Sequence, residues 1–590
     1  MNHRLSVAVA AAGVLSAAVI PAAASSTAAA TPRTAGSAAA PRTSDVLPRV
    51  HGKAVYLVGG AKRSINPPKG MLAAKDFYLG GYGLGDYKVG NEIQVPGTSG
   101  RYATGILGDG AHSHAMMVSD GRRTIAFGQI ETQGYFASYK QGPFGIEEIR
   151  HDAAAKIAKL AARHKHSAPA PTAAQILVDS DHSHGGPDTV GVWGGVPTSY
   201  LRLVHDHTVS ALVAAWRHMH RATLTYGVAH AGVESEHKRY PASGGGGPLL
   251  TNQFSNDPKN QVVDDQIRVL QARTVKGNRL LGTYVNFSSH PTVLGSDNTK
   301  VTGDYVGRLN RKLAKRYGGF GFDQVGTLGR TQPARTGCSK PNRKGSREYL
   351  CELDEYAARV MAKVRYAVHH ARPVRGPAIV GMSSYLLLDP ATSPTLLTLL
   401  YGGTVIGAPA ARAIGFPWFT GALLGTTSYS GRIGRLLISG GPGEMYPQIV
   451  AKVRHSVRGM QGYLNIGTAG DFLGYIVAPL SAYPEPVRRS VLSGDPPPNG
   501  DPACGAGDVS VGCPDPVGND NYFFNVSHTF GLRLTCSLLR GAADQLGKVA
   551  TTYTSAYGPC ESFTTDALLP PGEDTTFPPQ PDESAVYPHL

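Results

Sequence analysis

The chain has 590 residues, of which 41% are hydrophobic and 17% are charged, so it can bury a large core and is not a disordered protein. Glycine (73 residues) and proline (42 residues) are frequent but follow no three-residue period, which excludes a collagen. The formal net charge is +15, yet the lysines and arginines are dispersed, and no zinc-finger or RNA-recognition signature is present. The sequence indicates a basic, soluble, exported protein with no nucleic-acid partner.

The N-terminus predicts export. Residues 1–4 are a short basic segment, residues 5–20 are apolar, and small residues follow at 21–24. This is the pattern of a secretory signal peptide, so we expect residues 1–24 to be removed and the protein to be secreted. Residues 25–48 are rich in Ala, Ser, Thr and Pro and are expected to form a flexible tether.

Strands and helices interleave along the remainder of the chain. Short apolar runs predict strands, and apolar residues at three- and four-residue steps predict amphipathic helices. The interleaving predicts an α/β fold of layered, mixed β-sheets flanked by helices, in a single large domain over residues 49–550. The predicted strands are 53–60, 115–118, 124–128, 175–179, 282–287 and 435–439, and the predicted helices are 146–164, 200–222, 348–370 and 530–546.

Three segments depart from this pattern. Residues 396–425 are strongly apolar, but Arg412 and several Pro and Gly residues interrupt them, so we reject a membrane span. A buried hairpin or helix pair is the first interpretation, and an apolar lip beside a lipid-binding cleft is the second. Residues 494–520 are a Pro/Gly/Asp-rich insertion, and residues 551–590 are expected to form a loosely packed tail.

Six cysteines suit an oxidising compartment. Several pairings are possible, and we expect nearest neighbours to pair because each such bond closes a short loop. No C-x-x-C motif is present, which disfavours a cysteine-bound metal. The expected disulfides are Cys338–Cys351, Cys504–Cys513 and Cys536–Cys560.

Polar motifs follow three of the predicted strands, and strand ends are common positions for sites in α/β sheets. The motifs contain His182 with His184, then His290, and then Glu444. Together His182, His290 and Glu444 would form a zinc site with an open position for water, which suits hydrolysis. Imidazoles two residues apart in an extended segment point to opposite sides, so we expect only one of the first two histidines to bind the metal.

Other residues carry weaker signals. Each candidate ligand taken alone is more often structural than functional. His205 and His207 lie on a predicted helix, do not share a face, and are interpreted as solvated or structural. The adjacent Asp264 and Asp265 are interpreted as a solvated acidic pair. No G-x-S-x-G nucleophile motif is present, so nothing specific supports a Ser-His-Asp hydrolase.

The order of the motifs resembles that of the neutral/alkaline, non-lysosomal ceramidases, which are zinc amidases. The resemblance extends over about residues 53–550 and implies a single large zinc-hydrolase domain. The motifs that carry it are Ile65-Asn66-Pro67-Pro68, Gly81-Tyr82-Gly83, His182-Ser183-His184-Gly185-Gly186-Pro187, Phe287-Ser288-Ser289-His290-Pro291, Gly303-Asp304-Tyr305-Val306-Gly307, Pro442-Gly443-Glu444 and Tyr475-Ile476.

The resemblance implies that zinc is held by His182, His290, Glu444 and Tyr475. It also implies an arginine between the two histidine motifs, for which Arg239 is the match. The remaining expected catalytic residues are His184 for proton transfer, Arg239 and Gln332 for orienting a carbonyl group, and Asp304 for supporting the metal ligands.

The chain departs from the family's pattern in two places. Where the family has a serine in a Leu-Gly-Asp-x-Ser-Pro motif, this chain reads Leu328-Gly329-Arg330-Thr331-Gln332-Pro333, so Gln332 takes the place of the serine. A glutamine can still donate a hydrogen bond to an oxyanion. The chain also ends soon after residue 546, so we expect the family's C-terminal β-sandwich to be missing.

Three functions are consistent with these observations. The first is a secreted zinc hydrolase that cleaves the N-acyl amide bond of ceramide or a related lipid amide. The second is a zinc amidase or esterase for a substrate other than ceramide, which the change to Gln332 favours. The third is a catalytically inactive lipid- or surface-binding relative, consistent with the positive charge, the apolar residues 396–425 and peripheral contact with a membrane surface. The sequence specifies neither the acyl chain nor the oligomeric state.

Overall fold

Two β-sheets packed face to face form the centre of the structure, which is a computed structural model of the chain. All the residues that it describes belong to the unit Asp45–Leu590. They are residues 47, 50, 52–82, 101–139, 141–163, 168–191, 193–234, 247–252, 263–329, 331–335, 337–340, 343–390, 412–414, 423–476, 525–526, 528–546, 554–555 and 558–559.

The larger sheet is mixed. Its order is β8-β7-β6-β5-β1-β2-β3-β4, and the short strand Arg372–Pro373 pairs with β5. The pairs β3/β4 and β7/β8 are parallel, and the other neighbours are antiparallel. The strands are β1 Tyr56–Ser64, β2 His112–Ser119, β3 Thr124–Ile130, β4 Ile176–Ser180, β5 His220–His230, β6 Gln266–Thr274, β7 Leu280–Phe287 and β8 Phe320–Val325.

The second sheet is smaller and comes later in the chain. Its order is β9-β11-β12-β13, with β10 beside β11, and β12 and β13 run parallel. The strands are β9 Val380–Pro390, β10 Arg412–Ile414, β11 Leu423–Ile433, β12 Leu436–Gly440 and β13 Gly462–Ile466.

Side chains alternate across both sheets, as the two-residue period of a strand requires. In β1, Tyr56 and Val58 face the second sheet, whereas Leu57 faces the helices. In β12, Leu436 and Ile438 face the first sheet. The apolar space between the sheets is therefore one core, and the outer faces form further cores under the helices.

Helices cover the outer faces, which gives a layered α/β architecture. Helices α2 and α3 pack on one part of the large sheet, α4 packs on β7 and β8, α5 packs on β5 and β6, and α7 packs on the second sheet. The helices are α1 Lys69–Ala73, α2 Ile146–Arg163, α3 Thr198–Arg217, α4 Asp304–Tyr317, α5 Ser346–His369, α6 Pro447–Ser456 and α7 His528–Leu546, with a short 3₁₀ helix at Ala173–Gln175.

Short strands pair in the loops around the sheets. The pairing that matters below is Glu444–Met445 with Tyr475–Ile476, which run parallel. The others are Tyr78–Leu79, Arg101–Tyr102, Gly105–Ile106, Val233–Glu234, Leu250–Asn252, Lys300–Val301, Thr331–Pro333, Asn525–Val526, Thr554–Ser555 and Gly558–Pro559.

The layered, mixed α/β fold predicted from the sequence is confirmed. Each predicted strand and helix overlaps an element of the structure, but the helix predicted over residues 200–222 was placed too far along the chain. Helix α3 ends at Arg217, and β5 begins at His220, because His220, Arg221 and Ala222 pair with β1. Five long strands, β5, β6, β8, β9 and β11, were not predicted.

The disulfide Cys338–Cys351 is present, as predicted. Cys536 is disulfide-bonded, whereas Cys504, Cys513 and Cys560 lie outside the described residues. Much of 396–425 and all of 1–24 and 494–520 also lie outside them, and so does nearly all of 25–48 and 551–590. The described parts of 396–425 belong to β10 and β11, which pair antiparallel. No helix among the described residues is long and apolar enough to cross a membrane.

Candidate metal centre

Three strand ends, two from the large sheet and one from the second sheet, meet at one place. The loop after β13 links them: the Thr468 carbonyl accepts a hydrogen bond from the Ser180 amide, and the Thr468 amide donates to the Gly443 carbonyl. At the end of β7, the Asn286 side chain donates to the Asn465 carbonyl at 2.7 Å. The ends of β4, β7 and β12 are therefore fixed against one another, and the motifs that follow these strands converge.

The convergence brings together three side chains far apart in the sequence. His290 Nε2 lies 3.0 Å from Glu444 Oε2, and His182 Nε2 lies 3.4 Å from the same oxygen. All three side chains are buried. The strand-end positions of His182, His290 and Glu444 therefore produce one compact group.

Backbone carbonyls fix the tautomers of both imidazoles. His182 Nδ1 donates to the Gln133 carbonyl at 2.7 Å, and His290 Nδ1 donates to the Thr331 carbonyl at 2.8 Å. A carbonyl oxygen can only accept, so each Nδ1 carries a proton and each Nε2 is the nitrogen that can bind a metal. Both Nε2 atoms point at the Glu444 carboxylate. This second layer of carbonyl groups is the usual support of metal-binding histidines.

Burial sets the charges in this group. It lowers the pKa of His182 to about 4, so this imidazole is neutral at neutral pH. Burial by itself raises the pKa of Glu444, but the imidazoles of His182 and His290 and a hydrogen bond from Tyr475 outweigh it and hold that pKa below its usual value. A buried carboxylate thus lies against the Nε2 atoms of two imidazoles. Two imidazoles and a carboxylate in one buried group are ligands that zinc prefers, so the donor set fits a metal of the zinc class.

His184 lies in the same group, contrary to the prediction from strand alternation. Its Nε2 is 3.0 Å from His182 Nε2, and His182, His184 and His290 each offer a nitrogen within 4.8 Å of the others. The reason is the backbone: His182 has φ of 64°, so the segment turns instead of extending. Burial lowers the pKa of His184 well below its usual value.

The loop around His184 contains residues that sequence reasoning did not identify as functional. The Arg101 guanidinium donates to the carbonyls of Gly80 and His184, both at 2.5 Å, and to that of Asn298 at 2.7 Å. It also lies over the Tyr82 ring, which contacts the His184 ring edge-on. The Gly-Tyr-Gly motif signalled this region, but nothing in the sequence linked Arg101 to it.

Of the other predicted site residues, Tyr475 contacts the donor group and Asp304 does not. Tyr475 pairs with Glu444 in the short parallel ladder, and its side chain hydrogen-bonds the Glu444 carboxylate. Asp304 does not enter the donor group, because its carboxylate accepts hydrogen bonds from the Val293 and Leu294 amides, both at 3.1 Å. It therefore holds the loop that follows His290.

Gln332 lies beside the donor group, on the short strand next to the carbonyl that holds His290. Its side-chain oxygen accepts a hydrogen bond from the Thr292 hydroxyl at 2.6 Å. This contact fixes the amide and leaves its NH₂ group to donate elsewhere. Arg239 lies outside the described residues.

The fold and this buried histidine–carboxylate group define a layered α/β protein with a candidate metal centre at its strand ends. Its structural neighbours are neutral ceramidases. The neutral ceramidase from Pseudomonas aeruginosa has a TM-score of 0.51 at 15% identity, with 72% of this chain and 69% of that chain covered. A ceramidase complexed with C2 has a TM-score of 0.51 at 12% identity, with 84% of this chain and 77% of that chain covered. No family model and no curated protein matches the sequence. The predicted resemblance is thus confirmed for the fold.

Proposed function

We propose that this protein is a secreted zinc-dependent hydrolase that cleaves the N-acyl amide bond of ceramide or a related lipid amide. The observation that carries the proposal is the convergence of His182 Nε2 and His290 Nε2 on the buried Glu444 carboxylate, at 3.4 and 3.0 Å, within the fold of the neutral ceramidases. Export is supported by the signal-peptide pattern of residues 1–24 and by the Cys338–Cys351 disulfide, which suits an oxidising compartment.

The residues that would hold zinc are His182, His290, Glu444 and Tyr475, with His184 adjacent. Zinc, when bound to such a set, polarises a carbonyl group and makes water nucleophilic near neutral pH. A set of two histidines and one glutamate with an open position is typical of catalytic zinc sites.

The chain's own residues supply orientation and proton transfer. His184 is partly buried, and its lowered pKa keeps the imidazole neutral at neutral pH, so the ring can take a proton from the attacking water and give it to the leaving amine. The Gln332 amide, fixed by Thr292, can donate a hydrogen bond to the oxygen on which negative charge develops. Asp304 keeps the loop after His290 in place.

The test measures zinc by mass spectrometry and hydrolysis of a fluorescent ceramide on the same preparation of the secreted chain. We expect one zinc per chain and turnover that a chelator abolishes. Glu444→Gln and His290→Ala should lose both. The control His230→Ala, an exposed histidine paired with Asp265, should keep both. A wild-type preparation without zinc would disprove the proposal. Zinc without turnover of any amide would favour the inactive, lipid-binding alternative.

A second candidate function is hydrolysis of an amide or ester other than ceramide. The observation that favours it is Gln332 in place of the serine of the family that the chain resembles. A panel of N-acyl amides and esters separates the two functions, since ceramide alone should be silent in the second case. Gln332→Ser should then raise the rate with ceramide relative to the other substrates.

A further inference from the structure

A cavity of about 340 Å³ opens beside the first strand of the large sheet. It lies between β1, the beginnings of β7 and β8, and helix α4. Of the described residues that line it, none belongs to the candidate metal centre. The volume lies in the range of small-molecule sites. The cavity is therefore a second candidate site, and it is independent of the proposed hydrolysis.

The mouth of this cavity is basic. Lys62 and Arg279 are exposed there, and His218 and His220 are exposed beside them. No aspartate or glutamate occurs among the described lining residues. Two permanent positive charges without a neighbouring acid favour a negatively charged ligand, and an arginine guanidinium matches the geometry of phosphate and carboxylate groups.

The floor of the cavity is polar and rigidly held. The buried His114 ring bonds through Nε2 to Glu131 Oε1 at 2.9 Å. Asn310 is fixed because its side-chain oxygen accepts a hydrogen bond from the Asp323 amide at 2.5 Å. No described residue hydrogen-bonds to His114 Nδ1. This nitrogen is therefore available to a polar group that enters the cavity.

The walls between mouth and floor are apolar. Phe320, Phe322 and Leu281 line them, and the Phe322 ring stacks on the His114 ring with an interplanar angle of 12°. A flat apolar body would replace water against these side chains. The cavity thus combines a cationic mouth, an aromatic wall and one fixed polar group.

We propose that this cavity binds a small organic anion. Its phosphate or carboxylate group would lie between Lys62 and Arg279, and its compact apolar body would lie against Phe320 and Phe322. His114 would hydrogen-bond a polar atom at the inner end. A phosphate and a carboxylate group would both be bound by Lys62 and Arg279, and the test distinguishes between them.

The test measures binding of three probes to the full chain by titration calorimetry: phenyl phosphate, benzoate and the neutral benzyl alcohol. We expect saturable binding of at least one of the two anions and none of the alcohol. The tighter anion identifies the preferred oxyanion. Lys62→Ala/Arg279→Ala should weaken that binding about tenfold or more. Ala314→Phe, which fills the cavity from helix α4 and keeps both charges, should abolish it.

The matched control is Lys156→Ala/Lys159→Ala. These lysines line a separate cavity between α2 and α3, which also contains Asp206. The control removes the same charge and should leave anion binding unchanged. An equal loss in the control would show that only the net charge matters and would overturn the proposal. Three other results would also overturn the proposal. They are unaltered anion binding to Ala314→Phe, binding of benzyl alcohol as tight as that of the anions, and no saturable binding of either anion.

Discussion

The Nε2 atoms of His182 and His184 lie 3.0 Å apart, although one residue separates them in the chain. An extended backbone would place the two rings on opposite sides. Here His182 has a positive φ, and the Asp181 carboxylate accepts hydrogen bonds from the amide and hydroxyl of Ser183, which stabilises the turn. The donor group thus depends on a local backbone conformation as well as on the identity of its ligands.

The first prediction concerns Gly81, which lies against the His184 ring. A Cβ at this position would be 2.3 Å from His184 Cγ and Nδ1, and the residue has φ of 87°. Gly81→Ala should therefore displace the imidazole. We expect the variant to fold but to lose most amide hydrolysis, measured as kcat/KM, and to bind zinc more weakly.

The control for this prediction is Gly277→Ala. Gly277 has φ of 74°, but a Cβ there would meet nothing within 4 Å. Both variants therefore carry the conformational cost of a side chain at positive φ, of order 1 kcal/mol. Only the displacement of His184 differs. Equal effects of the two variants on zinc binding would contradict the prediction.

The second prediction concerns Asp304, whose carboxylate accepts hydrogen bonds from two amides in the loop after His290. Asp304→Ala leaves these buried amides without partners, which costs about 1–3 kcal/mol for each. We expect a lower unfolding midpoint and weaker zinc binding. Asp304→Asn retains one acceptor oxygen and should fall between wild type and the alanine variant.

Asp120→Ala is the control for Asp304. The Asp120 carboxylate also accepts hydrogen bonds from backbone amides, those of Arg122, Arg123 and Val380. Its loss should lower the unfolding midpoint comparably and leave zinc binding intact. If Asp304→Ala lowers only the midpoint, Asp304 has no role in positioning His290.

The third prediction concerns Arg101. Burial lowers its pKa to about 10, so the guanidinium remains charged at neutral pH while it holds three backbone carbonyls. A lysine ammonium cannot reproduce the planar fork that reaches three separate segments. Arg101→Lys should therefore weaken zinc binding and hydrolysis. Arg432→Lys, which changes an arginine bonded to the carbonyls of Gly434 and Gln545, should reduce stability only.

The positions of the donor residues could be predicted because each follows an apolar strand. The prediction that His182, His290 and Glu444 lie together used only the rule that sites in α/β sheets form at strand ends. Their supporting groups could not be predicted, since the Gln133 and Thr331 carbonyls are backbone atoms that any residue would provide. The turn at His182 could not be predicted from the sequence either, because its positive φ occurs at a histidine and not at a glycine.

Asp264 shows why buried charges escape sequence reasoning. It was interpreted as half of a solvated pair with Asp265, and that interpretation is wrong for Asp264. Its carboxylate is buried and bonds to Arg268 at 2.7 and 2.8 Å, to Ser288 and to Asn465. These three partners come together only when β6, β7 and β13 are assembled. Asp265 remains near the surface and pairs with His230.

The last prediction concerns the pH dependence of stability. Asp323 is fully buried in β8, and neither of its carboxylate oxygens has a hydrogen-bond partner among the described residues. Burial raises the pKa of this carboxyl well above its usual value. The folded state then binds more protons than the unfolded state, so stability is complete below the unfolded pKa of about 4 and falls as pH rises toward the folded pKa. Asp323→Asn removes this loss without changing the volume.

We therefore expect Asp323→Asn to have a higher urea-unfolding midpoint than wild type at neutral pH, and the difference to vanish near pH 4. The difference between the two proteins isolates Asp323 from the other buried carboxyls. Asp354→Asn should show the opposite sign, because Arg308 and Lys312 outweigh partial burial and hold the pKa of Asp354 below its usual value. It should be less stable than wild type at neutral pH and equal at low pH. A pH-independent effect of Asp323→Asn would mean that the carboxyl does not titrate differently in the two states.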